Sequence, residues 1–244
     1  VRCMLLAEVG QPALAGLGNT LLQMGLPEQA VEIYERALKL KPDYADALCN
    51  RGVAELALNR FDRARESFDR ALLFQPRHVE ALIGKGNVLV LKGRYAEASD
   101  FFRAALLRAP DDPRILNNLA YSMLNGGGEL LVALRHASKA EQLDPENPVV
   151  LETVGSIHLR LGDAPTAAKY LERAWARSLK RPPEIQIAIM DQLVRAWLAA
   201  DRRDLAWQVA EYRHRAFPNY RIPNDILKIF SDLRKPAEPL PEKK

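Results

Sequence analysis

Apolar residues recur at helical spacing in short segments of this sequence, and each segment ends at a glycine or a proline. In residues 79–112, a first apolar stripe is followed by Gly93, which readily adopts the left-handed backbone that ends a helix. A second stripe contains Phe102 and stops at Pro110, because a helix cannot continue through proline. The first stripe consists of Leu82, Leu89 and Val90. The pattern predicts two short helices joined by a turn.

This two-helix unit recurs with a period of 34 residues. The prolines that close the unit are Pro42, Pro76 and Pro110, and Pro145 follows after 35 residues. Two sets of alanines, one set of aromatic residues and one set of glycines keep the same period: Ala30, Ala64 and Ala98; Ala37, Ala71 and Ala105; Tyr34, Phe68 and Phe102; Gly18, Gly52 and Gly86. Agreement among independent positions indicates a repeat protein.

A small residue, an aromatic residue, an alanine and a closing proline, in this order within 34 residues, resemble the tetratricopeptide repeat (TPR) family. The resemblance implies an all-α fold, a right-handed superhelical solenoid of antiparallel helix pairs. We expect about six repeats and a C-terminal capping helix that shields the end of the array.

The register of the repeats predicts how the chain is divided. The expected segments are an N-terminal helix remnant of an earlier repeat at residues 1–10, repeats at 11–44, 45–78, 79–112, 113–147, 148–181 and, diverged, 187–220, a capping helix at 223–234 and a disordered tail at 235–244. Residues 1–10 would be the end of a second helix, so the sequence allows the array to begin upstream of Val1.

Composition narrows the function. Of 244 residues, 48% are hydrophobic and 27% charged, which is typical of a soluble protein. No apolar run approaches the roughly 18 residues of a membrane helix, so no direct membrane insertion is expected. The net charge is +4, and the lysines and arginines are interspersed with aspartates and glutamates along most helices. Because no basic block stands out, we expect no nucleic-acid partner. The compartment stays open between cytoplasm and periplasm, because a removed signal or lipid anchor would leave no trace.

Catalysis and metal binding are not expected. The four histidines are distant from one another and form no metal-binding motif with the two cysteines, Cys3 and Cys49. The glycines at 126–128 lack the strand and the Lys-Ser or Lys-Thr of a phosphate loop, and they predict a widened turn. We therefore predict no catalytic residue, no cofactor and no metal ion.

Binding is the remaining function, and the resemblance implies a concave groove lined by the first helix of each repeat. Asparagine is frequent there, and its amide can pair with both polar groups of a peptide unit. Asn19, Asn50, Asn87 and Asn118 are expected to hold a partner's backbone. The full set expected to contact a protein or peptide partner is Asn19, Asn50, Glu80, Asn87, Arg114, Asn117, Asn118, Tyr121, Asn125, Glu152, Arg160 and Arg195.

Several positions depart from the family pattern. One TPR subclass clamps a chaperone's C-terminal carboxylate, but here its basic positions hold Ala15, Glu80 and Gly84, so that ligand is not expected.

Arg51 and Glu55 stand where the family usually has apolar residues, so either they reach solvent or a local contact pairs them. The aromatic residues of the sixth repeat fit either core packing or a docking patch: Trp197, Trp207, Tyr212, Phe217 and Tyr220.

The sequence favours a non-enzymatic scaffold or adaptor that binds a partner and supports assembly of a larger complex. Its Ala-, Leu- and Arg-rich helices and short loops look bacterial. An alternative by family analogy is a pilus-assembly or secretion-system TPR protein or lipoprotein at the bacterial envelope. A second alternative is a structural protein that assembles into homo-oligomers.

Overall fold

The computed structural model describes residues 10–227. The predicted tail at 235–244 lies outside the described residues, as do residues 1–9 of the predicted helix remnant. The predicted capping helix at 223–234 is described only to residue 227, and residues 224–227 are helical.

Residues 10–227 contain twelve long helices and no strand. The helices are α1 (Gln11–Gln23), α2 (Pro27–Leu40), α3 (Ala45–Ala57), α4 (Phe61–Phe74), α5 (Val79–Leu91), α6 (Tyr95–Leu106), α7 (Pro113–Asn125), α8 (Leu130–Leu143), α9 (Pro148–Arg160), α10 (Ala164–Ser178), α11 (Pro183–Ala199) and α12 (Arg203–Ala216). Each predicted repeat that lies within the described residues supplies two of them. The predicted all-α fold of helix pairs is confirmed.

The described residues divide into two compact units, unit 1 up to residue 128 and unit 2 from residue 129. In the first unit, each helix from α1 to α7 packs against the next, and the first helices α1, α3, α5 and α7 also contact one another in order. In the second unit, each helix from α8 to α12 packs against the next, and α9 also contacts α11. The first helices therefore lie side by side within each unit.

Residues with a left-handed backbone end the first helices. Gly25 and Gly93 have φ of 75° and 71°, and Gly127 has φ of 75° in the turn that is one residue longer than its neighbours. Asn59 takes the glycine's place in the second repeat with φ of 57°, because asparagine tolerates this conformation. The tight turn fixes where the second helix starts and thus which of its faces meets the first.

The core of unit 1 depends on aromatic rings that lie against glycines. Tyr34, Phe68 and Phe102 are fully buried, and each ring occupies the space beside a glycine of the preceding helix. A Cβ atom at Gly86 would lie 2.5 Å from Phe102 Cε1, closer than van der Waals contact allows. Phe68 also lies against Gly84 of the next repeat, where a Cβ would be 2.3 Å away. The ring of Phe68 thus joins two repeats as well as two helices.

Unit 2 replaces this arrangement with a buried ion pair at its end. Arg213 is 1% exposed, and its Nε donates to Asp191 Oδ1 over 2.8 Å. The same guanidinium donates to the backbone carbonyls of Tyr220 and Arg221 over 3.3 and 2.9 Å. Burial raises the pKa of Asp191, and the charge of Arg213 opposes that shift. Arg213 therefore holds the chain that follows α12 against α11.

Two expectations are refined by the structure. The sixth repeat begins at Pro183 rather than at residue 187, because proline's fixed φ suits the first turn of a helix and its missing N–H is not needed there. Arg51 and Glu55 form local contacts, so the second of the two predicted possibilities is correct. Arg51 Nε donates to Ser67 Oγ over 3.0 Å, and the buried Glu55 lies 3.7 Å from Arg60 Nη1.

Adding a methyl group at Gly86 tests the close approach to Phe102. We expect Gly86→Ala to lower the free energy of unfolding by about 1–3 kcal/mol, because the ring must move. The control is Gly16→Ala on α1, where a Cβ would meet no atom within 4 Å and helix propensity should add about 0.5–1 kcal/mol. Urea unfolding followed by circular dichroism measures both. A Gly86→Ala protein as stable as the wild type would contradict the packing argument.

Removing one partner of the buried ion pair tests the end of unit 2. We expect Arg213→Ala to cost about 3–5 kcal/mol, because it leaves Asp191 buried without its cation. The double change Asp191→Leu/Arg213→Met should restore much of that loss by filling the space with apolar atoms. Arg215→Ala, which breaks an exposed pair with Glu211 on the same helix, should cost less than about 1 kcal/mol. If Arg213→Ala and Arg215→Ala lowered the free energy of unfolding in urea equally, the stabilising role of the buried Arg213–Asp191 pair would be contradicted.

Candidate partner-binding surface

Four predicted asparagines form two hydrogen-bonded pairs on the first helices of unit 1. Asn50 Nδ2 donates to Asn19 Oδ1 over 2.8 Å, and Asn118 Nδ2 donates to Asn87 Oδ1 over 3.1 Å. In both pairs the donor lies 31 residues after the acceptor, on the next first helix. We call the surface formed by these helices, α1, α3, α5 and α7, the first-helix face. Its asparagines connect repeats to each other.

Each pair leaves one donor and one acceptor unused by the described residues. Asn19 Oδ1 accepts one hydrogen bond from Asn50 and another, over 2.7 Å, from the hydroxyl of Tyr34. The NH₂ group of Asn19 donates no hydrogen bond within the described residues. In the same way, the NH₂ group of Asn87 and the Oδ1 atoms of Asn50 and Asn118 make no hydrogen bond within the described part of the chain. A peptide unit, which offers one C=O and one N–H, matches this set.

Glu80 and Arg114 are also paired with each other on this face. Arg114 Nη2 lies 2.8 Å from Glu80 Oε1 and 2.7 Å from Asp112 Oδ2. The hydrogen bonds to Asp112 and Glu80 raise the pKa of the Arg114 guanidinium. All three side chains lie at the N-terminal ends of α5 and α7. Two carboxylates surround one guanidinium, so the group has one negative charge in excess and its cation is already paired.

A histidine joins the neighbouring repeats in a similar way. His78 Nε2 lies 2.9 Å from Asp46 Oδ1, and the N–H of Ala81 donates to His78 Nδ1 over 3.2 Å. Because Nδ1 accepts, the neutral ring carries its proton on Nε2 and donates it to Asp46. Cys49 lies nearby, and burial, with Glu80 and Asp46, raises the pKa of its thiol to about 12. The thiol therefore stays protonated and unreactive near neutral pH.

Three predicted residues of the fourth repeat, Asn117, Tyr121 and Asn125, differ in how far their side chains are exposed. Asn117 is only 5% exposed, and its Oδ1 has no hydrogen-bond partner among the described residues. Its burial does not fit the predicted contact with a partner, because the side chain points into the helix packing. Tyr121 is half-buried with its ring 6.3 Å from that of Tyr95. Asn125 is exposed and donates to the carbonyl of Tyr121 over 2.9 Å.

Within the described residues, no hydrogen bond or ion pair joins the three predicted residues of unit 2 to one another. Glu152 is half-buried and accepts a hydrogen bond from Ser156 Oγ over 2.9 Å. Burial raises the pKa of this carboxyl, and the bond from Ser156 opposes the shift. Arg160 is exposed at the end of α9, whereas Arg195 Nε lies 2.7 Å from Asp225 Oδ2. Arg195 thus helps to hold the chain beyond α12.

The aromatic residues of the sixth repeat belong partly to the core. Trp197 and Phe217 pack against the buried cluster that joins α10, α11 and α12. Tyr212 is 48% exposed, with its ring 5.4 Å from that of Trp175, and the hydroxyl of Tyr220 donates to Glu184 over 2.7 Å. These contacts favour packing for Trp197 and Phe217, and they leave part of Tyr212 at the surface.

Within residues 10–227, no three side chains of histidine, cysteine, aspartate or glutamate are grouped so that they could hold a metal ion. In the same range, no helix combines the length and apolar character needed to cross a bilayer.

Comparison with known proteins agrees with the repeat pattern. The profile of the tetratricopeptide repeat family matches residues 16–76 and 55–113. A TPR repeat-containing protein of Pseudomonas aeruginosa is 32% identical over 81 residues, which cover 33% of this chain but only 13% of that protein.

Solved structures show the same fold. PilW, described as a type IV pilus biogenesis factor, matches with a TM-score of 0.75 and 20% identity, covering 89% of this chain and 98% of PilW. YrrB, described as a TPR protein with an unusual peptide-binding site, matches with a TM-score of 0.59 and 18% identity, covering 76% of this chain and 94% of YrrB. Residues 16–113 thus match the tetratricopeptide repeat family, and the chain shares its fold with PilW and YrrB.

The carboxyl of Glu152 makes stability depend on pH. Because its pKa is raised in the folded state, the stability it contributes is present in acid and is lost as the pH rises through that pKa. We expect Glu152→Gln, which can keep the bond to Ser156, to melt at a higher temperature than wild type at pH 7. The difference should vanish near pH 4, where glutamate is largely protonated in both states.

Differential scanning calorimetry at the two pH values measures this effect. Glu172→Gln, which changes an exposed carboxylate on α10, is the control and should leave the melting temperature nearly unchanged at both. A Glu152→Gln protein that is less stable than wild type at pH 7 would show that the carboxylate is favoured in the fold.

Proposed function

We propose that this protein is a non-enzymatic scaffold that binds an extended segment of a partner protein on the first-helix face of unit 1 and thereby supports assembly of a larger complex. The observation that carries this proposal is the pair of asparagine contacts, Asn19 with Asn50 and Asn87 with Asn118. Each pair holds two side-chain amides in fixed positions.

The fixed amides favour a peptide backbone as the ligand. In each pair, one NH₂ group and one Oδ1 atom remain available, so a backbone C=O and N–H can be satisfied together. Because hydrogen bonds between the repeats already restrict these side chains, a partner has to order less of the surface when it binds. Near this surface the carboxylates of Glu80 and Asp112 outnumber the guanidinium of Arg114, which disfavours a C-terminal carboxylate and favours recognition of the backbone.

Tyr121 and Asn125 extend this surface along α7. The half-buried ring of Tyr121 is supported by Tyr95, and a rigid aromatic ring with a polar end suits an interface. Asn117 is left out of the proposed contact surface because it is buried. Within unit 2, the exposed Arg160 and the half-buried Glu152 of α9 would be separate contacts for a partner of that unit.

A second candidate function is assembly of a pilus or secretion apparatus at a bacterial envelope. The likeness to PilW over nearly all of that protein supports this alternative. At 20% identity the likeness concerns the fold, so the pathway remains a proposal. A partner from such an apparatus would bind the same first-helix face.

The proposal is tested by replacing only the available donors. Asn19→Asp/Asn87→Asp keeps both acceptors that hold the repeats together, but it removes both NH₂ groups offered to a partner. Since each hydrogen bond contributes about 1 kcal/mol, we expect recovery of the partner to fall at least about tenfold. Affinity capture from the source organism's lysate with quantitative mass spectrometry measures recovery.

The control is Gln29→Glu/Gln142→Glu, which makes the same change from amide to acid at exposed positions on α2 and α8. Control and wild type should recover the same partner. A partner that the aspartate variant also retains would place the binding surface elsewhere. Recovery of this chain itself, with oligomers seen by light scattering, would instead support the self-assembling alternative.

A further inference from the structure

A pocket in unit 1 lies apart from the first-helix face, where the loop between α4 and α5 meets the end of α6. Its volume is about 330 Å³, near the lower end of the range of about 300–1,000 Å³ that is usual for ligand pockets. The lining residues are Pro76, Arg77, Leu82, Ala104, Leu107 and Arg108. None of them belongs to the asparagine pairs or to the ion pairs around Arg114.

The apolar part of this pocket includes an unusually exposed leucine. Leu107 is 85% exposed just after α6, whereas Leu82 is 5% exposed and lies in the packed part of α5. The preceding repeat also exposes apolar side chains at the end of its second helix, with Leu73 at 74% and Phe74 at 43%. Large apolar side chains left in water next to a concave surface favour contact with another molecule.

Two cations border the pocket without a carboxylate of their own. Arg77 and Arg108 are exposed, and in the described part of the chain neither forms an ion pair. In contrast, two arginines of the neighbouring helix α6 do form ion pairs. Arg94, at its start, pairs with Glu97, and Arg103, within it, pairs with Asp100. A guanidinium binds carboxylates with two parallel hydrogen bonds and is easily desolvated, so it suits an interface.

We propose that this pocket, the Arg77–Arg108 pocket, docks an acidic segment of a partner protein. An apolar side chain of the segment covers Leu107 and enters the pocket, and carboxylates on either side of it pair with Arg77 and Arg108. The charge of the two unpaired arginines selects an acidic segment, and the small pocket beside the exposed Leu107 selects a short apolar anchor within it. This site is independent of the first-helix face, so a scaffold could hold two partners at once.

A synthetic peptide serves as the probe. We expect the fluorescein-labelled peptide EEDLLDEE to bind the full chain in fluorescence anisotropy, with an affinity that falls as salt is raised. Arg77→Glu/Arg108→Glu should weaken binding at least tenfold, and Leu107→Asn at least threefold. The peptide EEDGGDEE, which lacks the apolar anchor, should also bind at least threefold more weakly to the wild type.

The matched control reverses the same number of charges on α4 and α6, the two helices that precede Arg77 and Arg108 in the chain. Arg63 and Arg103 are exposed residues of α4 and α6 that do not line this pocket, so Arg63→Glu/Arg103→Glu should bind EEDLLDEE within threefold of wild type. Circular dichroism melting of all variants checks that they fold. An equal loss of affinity for EEDLLDEE in the control and test variants would overturn the proposal, because it would indicate binding to a diffuse positive surface rather than to the pocket.

Two other results would also overturn the proposal. One is absence of binding of EEDLLDEE at low salt by a folded wild-type protein. The other is loss of binding to anionic phosphatidylglycerol vesicles in Arg77→Glu/Arg108→Glu when the peptide is bound equally by both proteins. That result would make the arginines a contact for a lipid surface rather than for a protein.

Discussion

The close approach of a helix backbone to an aromatic ring is the constraint on which the structure of unit 1 depends. Tyr34, Phe68 and Phe102 are fully buried because each opposing position is a glycine, where a Cβ atom would overlap the ring. The same contact fixes the spacing and the register of the two helices in a repeat. Phe68 extends it to the next repeat through Gly84. A core distributed in this way gives each repeat stability mainly through its neighbours.

The polar groups of the first-helix face follow from that register. Once adjacent first helices lie side by side, an asparagine on one helix reaches an asparagine on the next, and Glu80 reaches Arg114 in the same manner. These contacts join the repeats and at the same time fix the direction of the remaining donors and acceptors. The surface proposed for a partner thus consists of side chains that also connect the repeats.

Unit 2 uses the same architecture with different chemistry. Gly155 lies against Leu171 instead of an aromatic ring, and the sixth repeat carries Arg213 in its core. Arg213 stands five residues before Pro218, where other repeats have alanine before their closing proline. A long cation can occupy this position only because Asp191 and two backbone carbonyls satisfy it. The end of the array is therefore held by a polar anchor rather than by ring packing.

Glycine, proline and the apolar period act locally along the chain, so the helix pairs, their lengths and their turns can be predicted from the sequence. Which polar side chains meet depends on the packing of the folded chain. Asn117 occupies the repeat position of Ala15, Cys49 and Ile83, which are all buried, so the 34-residue register already places it in the core. The register also groups Asn19 with Asn87 and Asn50 with Asn118, but the contact of Asn19 with Asn50, and of Asn87 with Asn118, depends on how neighbouring first helices pack. The anomaly at Arg213 was visible in the sequence by counting back from Pro218, but its partner, 22 residues earlier, was identified only by the fold.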